Sequence, residues 1–333
     1  MEDLKQARKH FSKVGWFFVL AVAIIYGVQR VELLIADRMV PDWADRGGIL
    51  MLLSIIPMYL FGFPVLILLM KKYLPAVRLK RNKITVGKYL VALVTCIGLA
   101  YASNFAGTLL GFVISLFTKK PITNPVQEIT SMLSPGMILF YVVLLAPIME
   151  EFIFRKLIVD HTVRYGQGIA ILLSGLMFGL FHGNLSQFCY TAVIGFFLGF
   201  LYLKTGDIRV TISLHMVFNF VGGFLPVVLM KNGDLMQFLD QSAIGMSDTA
   251  ILQLLEKNAG ILIALLIFGL MVLLLTLSGV ILAIVFACTG KFRLTHQETD
   301  LPNGTRFRTV ILNSGMLVYI GYWAVQIISS LIG

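Results

Sequence analysis

Apolar residues fall in long blocks along this chain, and polar residues gather in the gaps between them. A helix needs about 20 apolar residues to cross roughly 30 Å of hydrocarbon. Runs that reach or approach this length lie at residues 16–31, 48–70, 89–117, 135–154, 168–181, 188–203, 208–230, 261–289 and 310–332. The fifth and sixth are short, and the first is broken by Arg30 and Glu32, so the pattern predicts eight or nine membrane-spanning helices. No sequence outside these runs is long enough for a separate soluble domain. The segment MEDLKQARKHFSKVG precedes an apolar stretch with no small-residue cleavage site after it, which predicts an uncleaved first span. Residues 240–257 mix polar and apolar positions and are expected to form an interfacial helix on the outer side. No fixed-period repeat, Pro- or Ser-rich linker or low-complexity tract interrupts the series.

Composition agrees with the pattern and narrows it. The 333 residues are 58% hydrophobic and 13% charged, against about 25% charged in an ordinary soluble domain. A soluble globule must cover itself with polar groups, and this chain has too few. A cytosolic enzyme, a disordered chain and a nucleic-acid module are therefore excluded, even at a net charge of +10. Cys96, Cys189 and Cys288 are far apart in apolar surroundings and form neither a disulfide framework nor a thiolate metal site. The class is all-α, polytopic and membrane-embedded.

The charge then acts as an orientation signal, because cytoplasmic loops carry the excess of Lys and Arg. With nine spans and a cytoplasmic N-terminus, 20 of the 27 basic residues fall on the inner side and 7 on the outer. Membrane lipid is the partner such a charge distribution implies, and a bacterial plasma membrane is the expected location. The sequon at Asn303-Gly304-Thr305 faces the cytoplasm on this topology and is read as chance.

Few ionisable groups remain inside the apolar runs. Glu150 and Glu151 follow the unbroken run 137–149. An ionisable side chain inside a span costs on the order of 2.5–3.5 kcal/mol and marks a candidate functional site. About 100° apart on an α-helix, the two glutamates are not expected to face one partner. Arg155 lies at i+4 from Glu151 and can pair with it, which leaves Glu150 with no local partner. His182 ends one run, with Phe178 one turn before it, and His215 and Asn219 share a face of another. A buried carboxylate suits a general base acting on water. Histidines orient that water, donate to an oxyanion or bind a metal, and Asn219 offers an amide to a tetrahedral intermediate. Such a set is a hydrolase constellation without a Ser or Cys nucleophile. Gly175, Gly179 and Gly183, with Gly195 and Gly199, suggest close helix packing around it.

Glu150-Glu151-Phe-Ile-Phe-Arg155, Phe178-Gly-Leu-Phe-His182 and His215-Met-Val-Phe-Asn219 read as EExxxR, FxxxH and HxxxN. In that order they resemble the motifs of the type II CAAX prenyl protease and bacteriocin-processing family of intramembrane proteases, also called the CPBP or Abi family. The resemblance covers residues 131–224, a catalytic core between N-terminal spans at 1–130 and C-terminal spans at 225–333. It implies a helix bundle whose active site opens toward the cytoplasmic half. Glu150 would activate water, His182 and His215 would complete the site, Asn219 would stabilise the oxyanion, and Glu151, Arg155 and Phe178 would support them. The substrate would be a peptide or membrane protein, prenylated or carrying a leader peptide. The family is described both as zinc-dependent and as metal-independent. Two His and a Glu would satisfy a catalytic zinc through His182 and His215, but a Glu used as base leaves a poor zinc set, so the reading leans to no metal. Counting from the inner helix ends at about 1.5 Å per residue places His215 roughly 10 Å deep and His182 nearer 20 Å. That difference requires a dipping turn at Gly166-Gln167-Gly168 or a tilted fifth helix.

Two other functions fit the same residues: a non-catalytic immunity or regulatory protein of this fold, and a transporter using carboxylates as proton relays. The transporter predicts inverted repeats, which the sequence lacks.

Overall fold

A computed structural model describes residues 2–120, 125–230, 248–296 and 300–332. Among them there is no β-strand, and the chain is an all-α polytopic membrane protein. Eight helices are long and apolar enough to span: α1 (Glu2–Met39), α2 (Gly47–Tyr73), α3 (Val86–Thr118), α5 (Pro135–Tyr165), α7 (Leu185–Thr205), α8 (Ile208–Met230), α10 (Ala259–Cys288) and α12 (Ser314–Ile332). The fifth apolar run forms α6 (Gln167–Phe181), which at 15 residues is too short to count with the others. Shorter helices are α4 (Pro125–Met132), α9 (Asp248–Lys257) and α11 (Arg306–Val310). Of the expected interfacial helix, residues 240–247 lie outside the described residues, and the remainder is α9.

Arg30 and Glu32 do not interrupt α1, which runs unbroken for 38 residues. Backbone hydrogen bonding carries a helix through charged positions, and at about 1.5 Å per residue α1 is far longer than the hydrocarbon is thick. Its excess length extends past the apolar layer.

Glycine fixes how closely several helices approach. A Cβ on Gly195 would lie 2.7 Å from the Cα of Gly175, and one on Gly179 would lie 2.8 Å from the Cβ of Ala192, so α6 and α7 pack backbone to backbone. Gly183 has a different task from the one its spacing suggests. At φ +66° it makes the left-handed turn that folds α6 back onto α7, and Asn184 then caps α7 by accepting from Gln187 N at 3.0 Å. The α6–α7 pair is thus a tight hairpin with His182 at its tip.

Five separated segments meet at one end of the bundle. Arg8 Nη2 donates to Leu312 O at 2.8 Å, Val77 N to Asp160 O at 2.7 Å and Asn82 Nδ2 to Lys204 O at 2.9 Å. Lys204 Nζ donates to Arg293 O at 2.7 Å, and Leu301 N to Tyr165 O at 3.0 Å. These are the segments that hold most of the Lys and Arg, so most of the basic residues lie toward one face of the molecule. Above that face lies a core of Phe11, Phe18, Phe154, Phe178 and Tyr319, all essentially without exposed surface.

Candidate functional site

The glutamate pair sits where α5 changes its winding. From Glu151 to Leu157 the backbone adopts π-helical hydrogen bonding, with Ile158 N reaching back five residues to Ile153 O. A wider turn rotates less per residue than an α-helix, and segments of this kind recur at functional sites. The carbonyl that Ile158 passes over, Phe154 O, receives the Ser174 hydroxyl of α6 at 2.6 Å.

Glu151 has no exposed surface, and its Oε1 lies 3.1 Å from Arg155 Nη2 and 3.0 Å from His215 Nδ1. Arg155 is equally enclosed, donates to Ser174 Oγ at 3.4 Å and lays its guanidinium 4.5 Å from the Phe178 ring centroid. The i, i+4 pairing is therefore present. The expectation that the two glutamates cannot face one partner is not met. His215 turns Nδ1 to Glu151 and holds Nε2 3.7 Å from Glu150 Oε2. A single imidazole has two nitrogens on opposite edges, and that suffices to meet neighbouring side chains.

These contacts determine the tautomers. The Glu151 carboxylate, paired with Arg155, accepts, so His215 Nδ1 carries the proton and Nε2 is a lone pair in the neutral ring. His182 Nδ1 lies 2.8 Å from Phe178 O, a carbonyl that can only accept, so its Nε2 is likewise bare. Phe178 stands between them, with its ring edge-on to His182 at 4.9 Å and to His215 at 5.9 Å between centroids.

Asn219 is placed by a second π-helical stretch, Leu139–Leu145. There Ala146 N bonds to Tyr141 O, five residues back, and position 147 is proline, so Val142 O finds no backbone donor in either register. Asn219 Nδ2 fills the gap, donating to Val142 O at 2.8 Å. One amide N–H is thus committed to α5, and the other remains for the site.

Glu150, Phe178, His182, His215 and Asn219 all line one cavity of about 930 Å³. Sharing it, the two histidines face one space across the Phe178 ring although their residue counts from the helix ends differ. The cavity also has a wall that the sequence reading passed over. Asn184 Nδ2 donates to Gln187 Oε1 at 2.8 Å and to His182 O at 2.8 Å, and Gln187 Nε2 donates to Tyr190 Oη at 3.2 Å. The signal was present as polar residues spaced by three, directly after His182.

The lining residues occupy one half of the bundle. On α1 they begin at Val22, on α12 at Trp323 and on α8 at His215, while on α5 they stop at Glu150. Each limit places the cavity in the half away from the joined basic segments. Phe178 lines its floor, and behind that ring lie Phe154, at 5.1 Å between centroids, and the Arg155 guanidinium, 4.5 Å from the Phe178 centroid. Two sequence expectations therefore part company: basic loops in the cytoplasm, and a site opening toward the cytoplasmic half. The buried charge layer and aromatic core fill the half in which the second would need space.

For a zinc ion, His182 and His215 each present the nitrogen a metal would take. Among the described residues, however, no three His, Cys, Asp or Glu side chains converge as a ligand set. The arrangement does not fit a three-ligand catalytic zinc.

Residues 133–221 match the family model for Type II CAAX prenyl endopeptidase Rce1-like, in agreement with the resemblance carried by the three motifs. The chain is also 26% identical over 144 residues to the Bacillus subtilis (strain 168) protein named Putative membrane peptidase YdiL, a match that covers 43% of this chain and 56% of that protein. No solved structure matches the chain.

Proposed function

We propose that this integral membrane protein is an intramembrane endopeptidase, in which Glu150 activates water to hydrolyse a peptide bond of a membrane-associated substrate. The observation that carries the reading is the division of labour between the adjacent glutamates. Glu151 is neutralised by Arg155 and orients His215, whereas Glu150 pairs with no Lys or Arg among the described residues, meets His215 Nε2 at 3.7 Å and faces the cavity. An orienting carboxylate behind a histidine, with the second ring nitrogen turned to the reacting space, is the logic of hydrolytic triads.

In the proposed reaction a water in the cavity gives a proton to the Glu150 carboxylate while its oxygen bonds to the substrate carbonyl carbon. The bare Nε2 of His182 accepts the water's other hydrogen and aims its lone pair, while His215 Nε2, 3.7 Å from Glu150 Oε2, accepts from the carboxyl once it is protonated. The carbonyl oxygen becomes an oxyanion, and the free N–H of Asn219 donates to it. On collapse the C–N bond breaks, and the proton held by Glu150 passes to the departing nitrogen. No step runs through a metal. A leader-bearing peptide or membrane protein in a bacterial plasma membrane, with the enzyme's N-terminus cytoplasmic, is the setting we propose.

The test is cleavage of a candidate substrate in reconstituted vesicles. Glu150→Gln and His182→Ala should each lose at least about 100-fold in turnover, the usual weight of general acid–base catalysis. Undiminished turnover in both would overturn the assignment.

A further inference from the structure

The cavity's place in the bundle and its lining chemistry together restrict what can enter it. Its residues begin at Val22 on α1 and run to Ser330 on α12, always on the half of each helix remote from the segments tied together around Lys204, Arg293 and Arg8. Below Glu150 the way toward the basic face is filled by Phe154, Phe178 and the enclosed Glu151–Arg155 pair. In the nine-span topology 20 of the 27 Lys and Arg residues, Arg155 of the plug among them, fall on the side of this face, an imbalance that assigns it to the cytoplasm. By that rule the mouth lies on the other side.

The lining adds a second restriction. Among the described residues around the cavity there is no Lys, Arg or Asp, and the ionisable chemistry is confined to Glu150, His182, His215 and four tyrosines. The remaining polar positions are neutral, among them Gln29, Ser54, Asn104 and Gln326. A substrate offering a free C-terminal carboxylate or a cluster of charges would find no counter-ion, and desolvating such groups unpaired is costly. An extended, uncharged stretch of chain would meet apolar contacts and neutral hydrogen-bonding groups along its length.

We propose that the site takes its substrate from the extracytoplasmic side, and that the substrate is an uncharged segment of an exported or membrane-inserted polypeptide rather than a charged cytosolic C-terminus. The substrate class rests on the protease reading, whereas the sidedness does not.

Cysteine labelling separates the two. In full-length protein with Cys96, Cys189 and Cys288 replaced by Ala, Ser329→Cys places a thiol on the exposed rim of the cavity, and Lys83→Cys places one on the basic face. A membrane-impermeant maleimide should label Ser329→Cys in intact cells and Lys83→Cys only after permeabilisation. The reverse pattern, or both sites labelled in intact cells, overturns the sidedness whatever the catalytic residues do. For the substrate class, a cleavable reporter with an uncharged scissile segment is compared with one bearing two added lysines there. A fall of 10-fold or more in cleavage of the charged reporter supports the proposal, and equal cleavage overturns it. Loss of both cleavages in Glu150→Gln with labelling unchanged confines any failure to the chemistry.

Discussion

Arg155 has no exposed surface, and its charge is met by a carboxylate, a hydroxyl and an aromatic face. Removing one partner of such a buried pair leaves the other charge stranded, which typically costs about 3–5 kcal/mol. Arg155→Met should therefore lower the denaturation midpoint in detergent sharply, and replacing Glu151 by Gln in the same protein should recover part of the loss. A second substitution that deepened the loss would show that Glu151 does not depend on Arg155. This part of the site was legible in the sequence, because i, i+4 spacing needs only one helix. The contact of His215 with both glutamates was not, since it depends on how two helices 64 residues apart are rotated. Nor was the commitment of Asn219 to Val142, which requires knowing that one carbonyl has lost its donors.

That lost donor belongs to the winding of α5. Tyr141 O takes the Ala146 amide, Pro147 has none to give, and Asn219 supplies the missing hydrogen bond from α8. A buried carbonyl left unpaired costs about 1–3 kcal/mol. Asn219→Leu should destabilise by that order, and the penalty should shrink when Pro147→Ala restores an amide at position 147. A double-mutant cycle on thermal stability reads the coupling directly, and strictly additive effects would rule it out. Apolar length revealed which segments are helices, and eight of the nine runs became full spans. It could not reveal the winding within them, because π-turns depend on which carbonyls find partners outside their own helix. Gly183 shows the same limit: its four-residue spacing from Gly179 suggested packing, yet its left-handed φ makes it the hairpin turn.

At the scale of the molecule, charge is sorted to one end and Asp207 sits within it. Its carboxylate accepts from Arg209 Nη2 at 2.6 Å and Arg209 N at 3.1 Å, and Arg81 lies 3.9 Å away. Hydrogen bonds from Arg209 hold it down to about 2, below the ordinary aspartate value of about 4. A carboxyl lowered by folding stabilises the fold above its unfolded pKa, and that contribution fades as pH falls toward 2. The stability difference between the protein and Asp207→Asn should thus be constant above pH 5 and shrink steadily between pH 4 and pH 2. A difference that does not change with pH would mean that the carboxylate does not hold the start of α8.

The cavity floor has an electrical consequence. In the proposed mechanism water enters the recess, and a water-filled recess conducts, so in an energised membrane the potential would then fall mainly across the plug of Phe154, Phe178 and the buried charges beneath. Moving a unit charge through the whole potential involves about 2.3 kcal/mol per 100 mV. Glu151 and Arg155 lie in the steep part of that field, but as a neutral couple they feel little net force. Glu150, at the recess floor, shares the voltage of the compartment above it, so proton exchange at the site is driven by that compartment's pH and hardly by the membrane voltage.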